Sequence, residues 1–315
     1  MVSIGLPTYN RAAGLERAIE SVLAQTHREL ELIVSDNAST DGTQELCRRV
    51  AERDPRVRYV RHEVNRGPTA NFNFLFGELR GEYAMLLADD DWLDLDYVET
   101  CLAELQRLSG HAVVGGLHRW MRDGQPAGDG VPMTLEDEDP RRRTVEYLRR
   151  VDDNGTFYGL IRGDVLRRVG PMDNVLGNDW MHVAGLAFCG KVRTLGQTHI
   201  NRSLGGTSRT LGEIVQTFGA GRSGESRLAF AFIAARVFAQ IAWRSDVYAG
   251  LGRPARLALA ARASAAALHL WGTAWLLLGP VTLSVLRRPR GRALLRPFAW
   301  LVRRGGRDLD SLPPL

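Results

Sequence analysis

Residues 83–92 read Tyr83-Ala84-Met85-Leu86-Leu87-Ala88-Asp89-Asp90-Asp91-Trp92, an apolar run that ends on three consecutive carboxylates. A run without polar alternation is what a strand covered on both faces requires. Three other strand-like runs precede it, at residues 2–6, 30–35 and 57–60, with helical patterns at 13–25, 43–53 and 71–79 between them. Strands separated by helices of this length predict an α/β fold, a mostly parallel, doubly wound sheet with helices on both faces. In such sheets ligands sit beyond the carboxyl ends of the strands. The polar residues that end each run are therefore the candidate site.

After the first strand comes Pro7-Thr8-Tyr9-Asn10-Arg11, where backbone and side-chain groups can meet a nucleobase or ribose and Asn10 can cap the next helix. After the second comes Ser35-Asp36-Asn37-Ala38-Ser39-Thr40-Asp41-Gly42-Thr43. Asp36, at the strand end, is placed to accept hydrogen bonds from a base or ribose, whereas Asp41 reads as a turn or cap residue. The third group, Asp89, Asp90 and Asp91, sets like charges side by side. A divalent cation is the simplest compensation, and hard oxygen ligands suit Mg2+ or Mn2+. Such an ion would bridge two phosphates of a nucleotide. The bland alternative is an acidic solvated loop capping a helix that starts near residue 95.

These motifs, in order and each after its strand, resemble the inverting family 2 glycosyltransferases of GT-A (Rossmann-like) fold. The segment Asn65-Arg66-Gly67-Pro68, with Asn71 nearby, resembles that family's NxG segment, and the likeness covers about residues 1–210. It implies a nucleotide-sugar donor, with UDP as the default nucleotide and dTDP and GDP behind it. Pro7, Thr8, Tyr9, Asn10, Arg11, Asp36, Asn71, Asp89, Asp90 and Arg202 would line the donor, and Arg66 is a weaker candidate. Asp91 would bind Mn2+ or Mg2+, joined by His199 from the segment Thr198-His199-Ile200-Asn201-Arg202. The family's Glu-Asp pair before a helix is matched by Asn178-Asp179, so Asp179 would be the general base, with Asp173 and Asp153 as substitutes and a helix cap as its plain structural reading. The QxxRW signature of processive synthases is absent, which implies single addition to a hydroxyl of a glycan or lipid-linked acceptor. The alternatives are a polyprenyl-phosphate glycosyl synthase, a sugar-nucleotide nucleotidyltransferase and an inactive sugar-binding relative. The second would place a GxGxR loop where PTYNR stands.

Beyond residue 94 the pattern predicts a helix at 95–108, a strand at 112–121 and a loop or hairpin at 123–139. Helices at 144–151 and 179–188 and strands at 156–161 and 198–204 follow. The expected division is a catalytic domain over 1–211, with a nucleotide-binding half at 1–110 and an acceptor half at 111–211, then a helical region at 212–315. Residues 263–286 contain no Asp, Glu, Lys or Arg, and residues 287–307 hold eight arginines and no acid. Glycines, Pro280 and the interface-favouring Trp271 and Trp275 make attachment to a membrane surface through residues 228–304 a better reading than a full span. The rival is a helical pair buried against the catalytic domain. No nucleic-acid module accompanies the arginines. Cys47, Cys101 and Cys189 form no metal or disulfide spacing, and Met1 leads straight into a strand. The expected location is the cytoplasm, peripheral on the inner face of the cell membrane.

Overall fold

The computed structural model describes residues 1–151, 154–204 and 229–268. Its centre is the sheet that the apolar runs predict. Strand β1 (Val2–Thr8) lies between β2 (Leu30–Asp36) and β4 (Tyr83–Leu86), with β3 (Val57–Arg61) beyond β2, and all four are parallel. Helices α1 (Ala12–Leu23), α2 (Thr43–Arg53) and α3 (Pro68–Glu78) make the crossovers. Ile4, Leu6, Leu32, Val34 and Met85 have no accessible surface, which explains the near-continuous hydrophobicity of these strands.

The sheet is less parallel than expected. Its order is β3-β2-β1-β4-β8-β6-β9-β5, and β8 (Leu160–Arg162) runs antiparallel to both β4 and β6 (His111–Arg122). Strand β7 (Gln125–Asp129) folds back on β6 as a hairpin, one of the two forms expected for residues 123–139. Strand β9 (Lys191–Ser203) runs parallel to β6. Their register jumps from Gly116 opposite Leu195 to Leu117 opposite His199, so residues 196–198 bulge out of the pairing. The two-residue strand β5 (Trp92–Leu93) then pairs antiparallel with β9, Trp92 opposite Asn201 and Leu93 opposite Ile200. That short ladder brings the Asp89–Asp91 loop onto the strand carrying Arg202.

Residues 156–161, expected as a strand, split into a 3-10 turn (Gly155–Tyr158) and β8. Helices α4 (Tyr97–Arg107), α5 (Pro140–Arg150), α6 (Gly163–Val169) and α7 (Asn178–Cys189) cover the second half. One apolar cluster lies between the parallel strands and α1, α2 and α4. The other gathers α3, α5 and α7 with the helices α8 (Ala229–Ala239) and α9 (Arg253–Ala267). Ile233, Val237, Ile241, Leu259 and Ala263 are buried there, and the Arg256 guanidinium donates to the carbonyls of Ile241 and Ser245. The described part of the C-terminal region therefore packs on the domain, while residues 269–286 of the uncharged stretch lie outside the described residues. Among the described residues no helix is long and apolar enough to cross a membrane. The boundary expected at residue 211 and the arginine-rich stretch at 287–307 lie outside the described residues.

Candidate active site

Parallel pairing sets Thr8 opposite Asp36, so the ends of β1 and β2 share one edge with the loop after β4. The Thr8 hydroxyl donates to Asp89 Oδ2 at 2.8 Å, joining the first motif to the third. Helix α1 presses on the same loop: a Cβ on Gly14 would lie 3.2 Å from the Asp89 carbonyl oxygen. Pro7 is part of β1, opposite Ser35, and Tyr9 stands exposed at the rim.

Other members of the predicted set hold this edge in shape. Asn10 adopts the left-handed conformation (φ 53°). Its Oδ1 accepts from the Thr40 backbone N–H at 2.8 Å, so it stitches two loops and does not cap α1. Asp41 takes the capping work, accepting from Thr43 N–H and Ala12 N–H at the starts of α2 and α1. Asp36, expected to meet a base or ribose, has no accessible surface. Its oxygens accept from Ser39 N–H (2.8 Å) and the Tyr59 hydroxyl (2.7 Å), and Arg61 Nε lies 3.6 Å away. Asn71 is also buried, donating to the Ser35 carbonyl oxygen and accepting from the Ser35 hydroxyl. In this arrangement both residues brace the strand ends from below. Arg66 offers its backbone N–H to Asn37 Oδ1.

The aspartates occupy a cationic frame. Arg11 lies 4.0 Å from Asp89 and 3.6 Å from Asp90. Asp91, only 4% exposed, accepts from Ser203 N–H at 3.2 Å and faces Arg202 Nε at 3.4 Å. The Arg17 guanidinium stacks 3.4 Å from the Trp92 ring centre and feels the charges of Asp91 and Asp90. Burial pushes Asp89 up to about 6 and Asp91 up to about 7; the neighbouring Asp90 charge adds to both rises, while Arg11 and Arg202 oppose them.

His199 departs from expectation. Its Nδ1 meets Asp94 Oδ2 at 2.9 Å and the Arg119 guanidinium flanks its ring, while Asn201 donates to the other Asp94 oxygen. No three His, Cys, Asp or Glu side chains among the described residues converge as a metal cage. Any ion at Asp91 would therefore need ligands besides these side chains.

Residues 3–168, more than half of the chain, match the family described as Glycosyl transferase family 2. The chain belongs to that family. A glycosyltransferase of Campylobacter jejuni, named GalNAc(5)-diNAcBac-PP-undecaprenol beta-1,3-glucosyltransferase, is 37% identical over 179 residues, 56% of this chain and 57% of that protein. The chain spans less than two thirds of the length of the curated relatives it matches. Two solved structures share the fold. TarS 1–349 of S. aureus in complex with UDP-GlcNAc has TM-score 0.61 at 15% identity, over 85% of this chain and 72% of that one. The Pyrobaculum calidifontis mannosyltransferase PcManGT in complex with GDP-Man and Mn2+ has TM-score 0.52 at 21% identity, over 96% and 84%.

In this family 2 chain, Asp179 lies in the first turn of α7, after Gly177 in a left-handed conformation (φ 76°). Gly177 is the N-cap, so Asp179 does not have the capping role open to it in the sequence. Its Oδ2 accepts from Asn154 Nδ2 at 2.9 Å, and burial raises its pKa. Arg202 acts electrostatically on Asp179, Asp91 and Tyr158 alike, so both predicted carboxylates lie within the field of one guanidinium. The same guanidinium stacks on Trp120 and Tyr158, at 4.8 and 5.4 Å from the ring centres. Asp173 is instead near Arg244, at 3.4 Å, and Asp153 lies outside the described residues. Sequence reading missed Arg17, Trp120, Tyr158 and Asn154. Only Asn154-Gly155 left a signal, a dipeptide typical of turns.

Proposed function

We propose that this chain transfers one sugar, with inversion, from a nucleotide-diphosphate donor to a hydroxyl of a glycan or lipid-linked acceptor, with UDP-sugar as the default donor. The reading rests on one juxtaposition: Arg202, 3.4 Å from the strand-end Asp91 at the carboxyl edge of the sheet, also acts electrostatically on Asp179. Burial makes Asp179 a better proton acceptor than an ordinary carboxylate, because it raises the cost of staying charged. Asp179 takes the proton of the acceptor hydroxyl as its oxygen bonds to the anomeric carbon. The bond from that carbon to the donor phosphate oxygen breaks on the opposite side, and the nucleotide diphosphate leaves with the electron pair. Arg11 and Arg202 face the strand-end carboxylates and are placed to offset the negative charge that grows on the leaving diphosphate.

The residues also fit a divalent cation. A buried carboxylate with an elevated pKa, and no complete cage among the described residues, matches the way Mg2+ and Mn2+ are held, by one or two carboxylates with substrate phosphates completing the shell. Asp91 would hold the ion, with Asp89 or Asp90 beside it, and the ion would supply Lewis-acid stabilisation of the diphosphate. His199, tied to Asp94, would join only after leaving that partner. Pro7, Thr8, Tyr9 and Asn10 would border the nucleoside, above the bracing pair Asp36 and Asn71.

The undecaprenol-linked acceptor in the name of the Campylobacter relative supports a lipid-linked acceptor here. A membrane surface reached through residues 228–304, on the cytoplasmic face, would suit such a substrate, and Trp243 and Leu257 are the large exposed apolar side chains of the described part. A panel of nucleotide sugars with Mn2+ or Mg2+, followed by nucleotide diphosphate release, tests the reaction. One donor should release diphosphate only with metal. In Asp179→Asn, donor binding should persist while transfer falls by about 100-fold or more; release of pyrophosphate from a nucleoside triphosphate would overturn the reading.

A further inference from the structure

We infer that Asn154 is a positioning residue for Asp179, and that Tyr147 anchors the far end of the Asn154 amide. The inference rests on Asp179 being the general base. Asn154 sits between α5 and α7, in a left-handed conformation (φ 49°, ψ 37°), and is 7% exposed. Asparagine is among the few residues that adopt this conformation readily. The turn is pinned from behind, since a Cβ on the next residue, Gly155, would fall 0.7 Å from His118 Cε1. No other amino acid fits there without moving His118.

An amide offers an acceptor at one end and donors at the other, and the two ends have nearly the same shape. The Tyr147 hydroxyl, on the fully buried face of α5, donates to Asn154 Oδ1 at 2.5 Å. At the other end Nδ2 faces the acceptor-only carboxylate of Asp179 and donates to Oδ2 at 2.9 Å. The reverse orientation would set the amide oxygen against a carboxylate oxygen, two acceptors without a proton between them. The hydroxyl, the amide and the carboxylate form one chain that, together with the backbone N–H groups of Asp179 and Trp180, holds the Asp179 side chain. The other charged or titratable groups that act on Asp179 are Arg202 on β9 and Tyr158 on the 3-10 turn. Both lie on the aspartate-loop side, so the Asn154 bond is a separate restraint.

Sequence spacing gives no hint of this arrangement. Asn154 is seven residues from Tyr147 and twenty-five from Asp179, just ahead of a stretch that reads as a strand. The Asn178 side chain, where the family has Glu, is engaged elsewhere, accepting from the Asp179 N–H and donating to the Thr69 hydroxyl. Asn154 is the side chain that reaches the base carboxylate itself.

The test uses the full chain with Asn154→Gly, Tyr147→Phe, the double variant and Asp179→Asn, each first checked for an unchanged melting profile. Glycine keeps the left-handed backbone accessible. Asn154→Gly should lower kcat about 10- to 100-fold with donor Kd unchanged, as expected for a misplaced catalytic group. The acid limb of its kcat–pH profile should move to higher pH, because the carboxylate loses a donor that favours its charged form. Tyr147→Phe should lose less, and should cause no further loss in the Asn154→Gly background. The inference fails if Asn154→Gly or Tyr147→Phe keeps wild-type kcat and acid limb while Asp179→Asn abolishes transfer, and it fails if the two losses simply multiply. Near-wild-type transfer by Asp179→Asn removes the base reading and the positioning role together. Should Asn154→Gly lose its fold, the single-oxygen change in Tyr147→Phe decides alone: an unmoved acid limb overturns the inference.

Discussion

Asp91→Asn should make the metal-free protein more stable at alkaline pH while removing its response to metal. Asp91 is 4% exposed, and its carboxyl titrates at about 7 against an ordinary 3.8. At about 1.4 kcal/mol per pH unit, the distance between those values amounts to about 4 kcal/mol. The folded pKa lies above the unfolded one, so folding takes up a proton between them. Stability contributed by this group is full below about pH 4 and declines as pH rises to about 7. Above that, the native state carries the whole cost of a buried charge, which the pull of Arg202 only partly offsets. An asparagine of the same shape removes the cost. It also leaves Arg202 without its carboxylate, stacked on Trp120 and Tyr158, which lowers the gain to about 2–4 kcal/mol. For a domain of this size that is a rise in Tm of roughly 5–10 °C at about pH 8, shrinking toward zero at about pH 5. Differential scanning calorimetry at both pH values, with and without MnCl2 and UDP, measures it. Wild type should gain stability from metal plus nucleotide at the higher pH, and the variant should not. A variant less stable than wild type at about pH 8, or one with the same Tm gap at both pH values, refutes the reasoning.

Three other changes bear on different parts of the site. Arg202→Gln should lower kcat by about 10²-fold or more, the scale of a lost transition-state donor, in a steady-state transfer assay. Asp36→Asn should leave the Tyr59 hydroxyl and Arg61 without their charged partner and cost about 1–3 kcal/mol in urea unfolding. If Asp36 instead faced the donor, stability would hold and only donor Kd would weaken. Lowering the pH through about 7 and then 6 protonates Asp91 and then Asp89, so Mn2+ binding followed by titration calorimetry should weaken across that range and recover on return to about pH 8.

The parallel half of the fold is legible in the sequence because both faces of its strands are covered. Residues such as Ile4, Leu32 and Met85 must all be apolar, and each run stops where the sheet edge meets solvent. The same logic finds Thr8, Asp36 and the aspartate trio, since a strand end is also a change of composition. It does not reveal which way a polar side chain turns. Asp36 and Asn71 read as ligands and stand beneath the edge as braces. Thr156, Phe157 and Tyr158 favour strands, yet the left-handed Asn154 and the His118 ring behind Gly155 wind them into a 3-10 turn. Strand β5 has two residues, too few to show any periodicity. The pairing of His199 with Asp94 spans 105 positions, which no local pattern encodes.

The bulge at residues 196–198 fixes the phase of everything after it on β9. With three residues looped out, Asn201 falls opposite Trp92, and the cation one step further on meets Asp91. Removing or adding a single residue there would invert inside and outside for the rest of the strand, turning a guanidinium away and presenting a neighbour of different charge. Loop length four to six residues upstream of Arg202 is therefore a dial on the charge of the donor edge, one that changes without any substitution at the site.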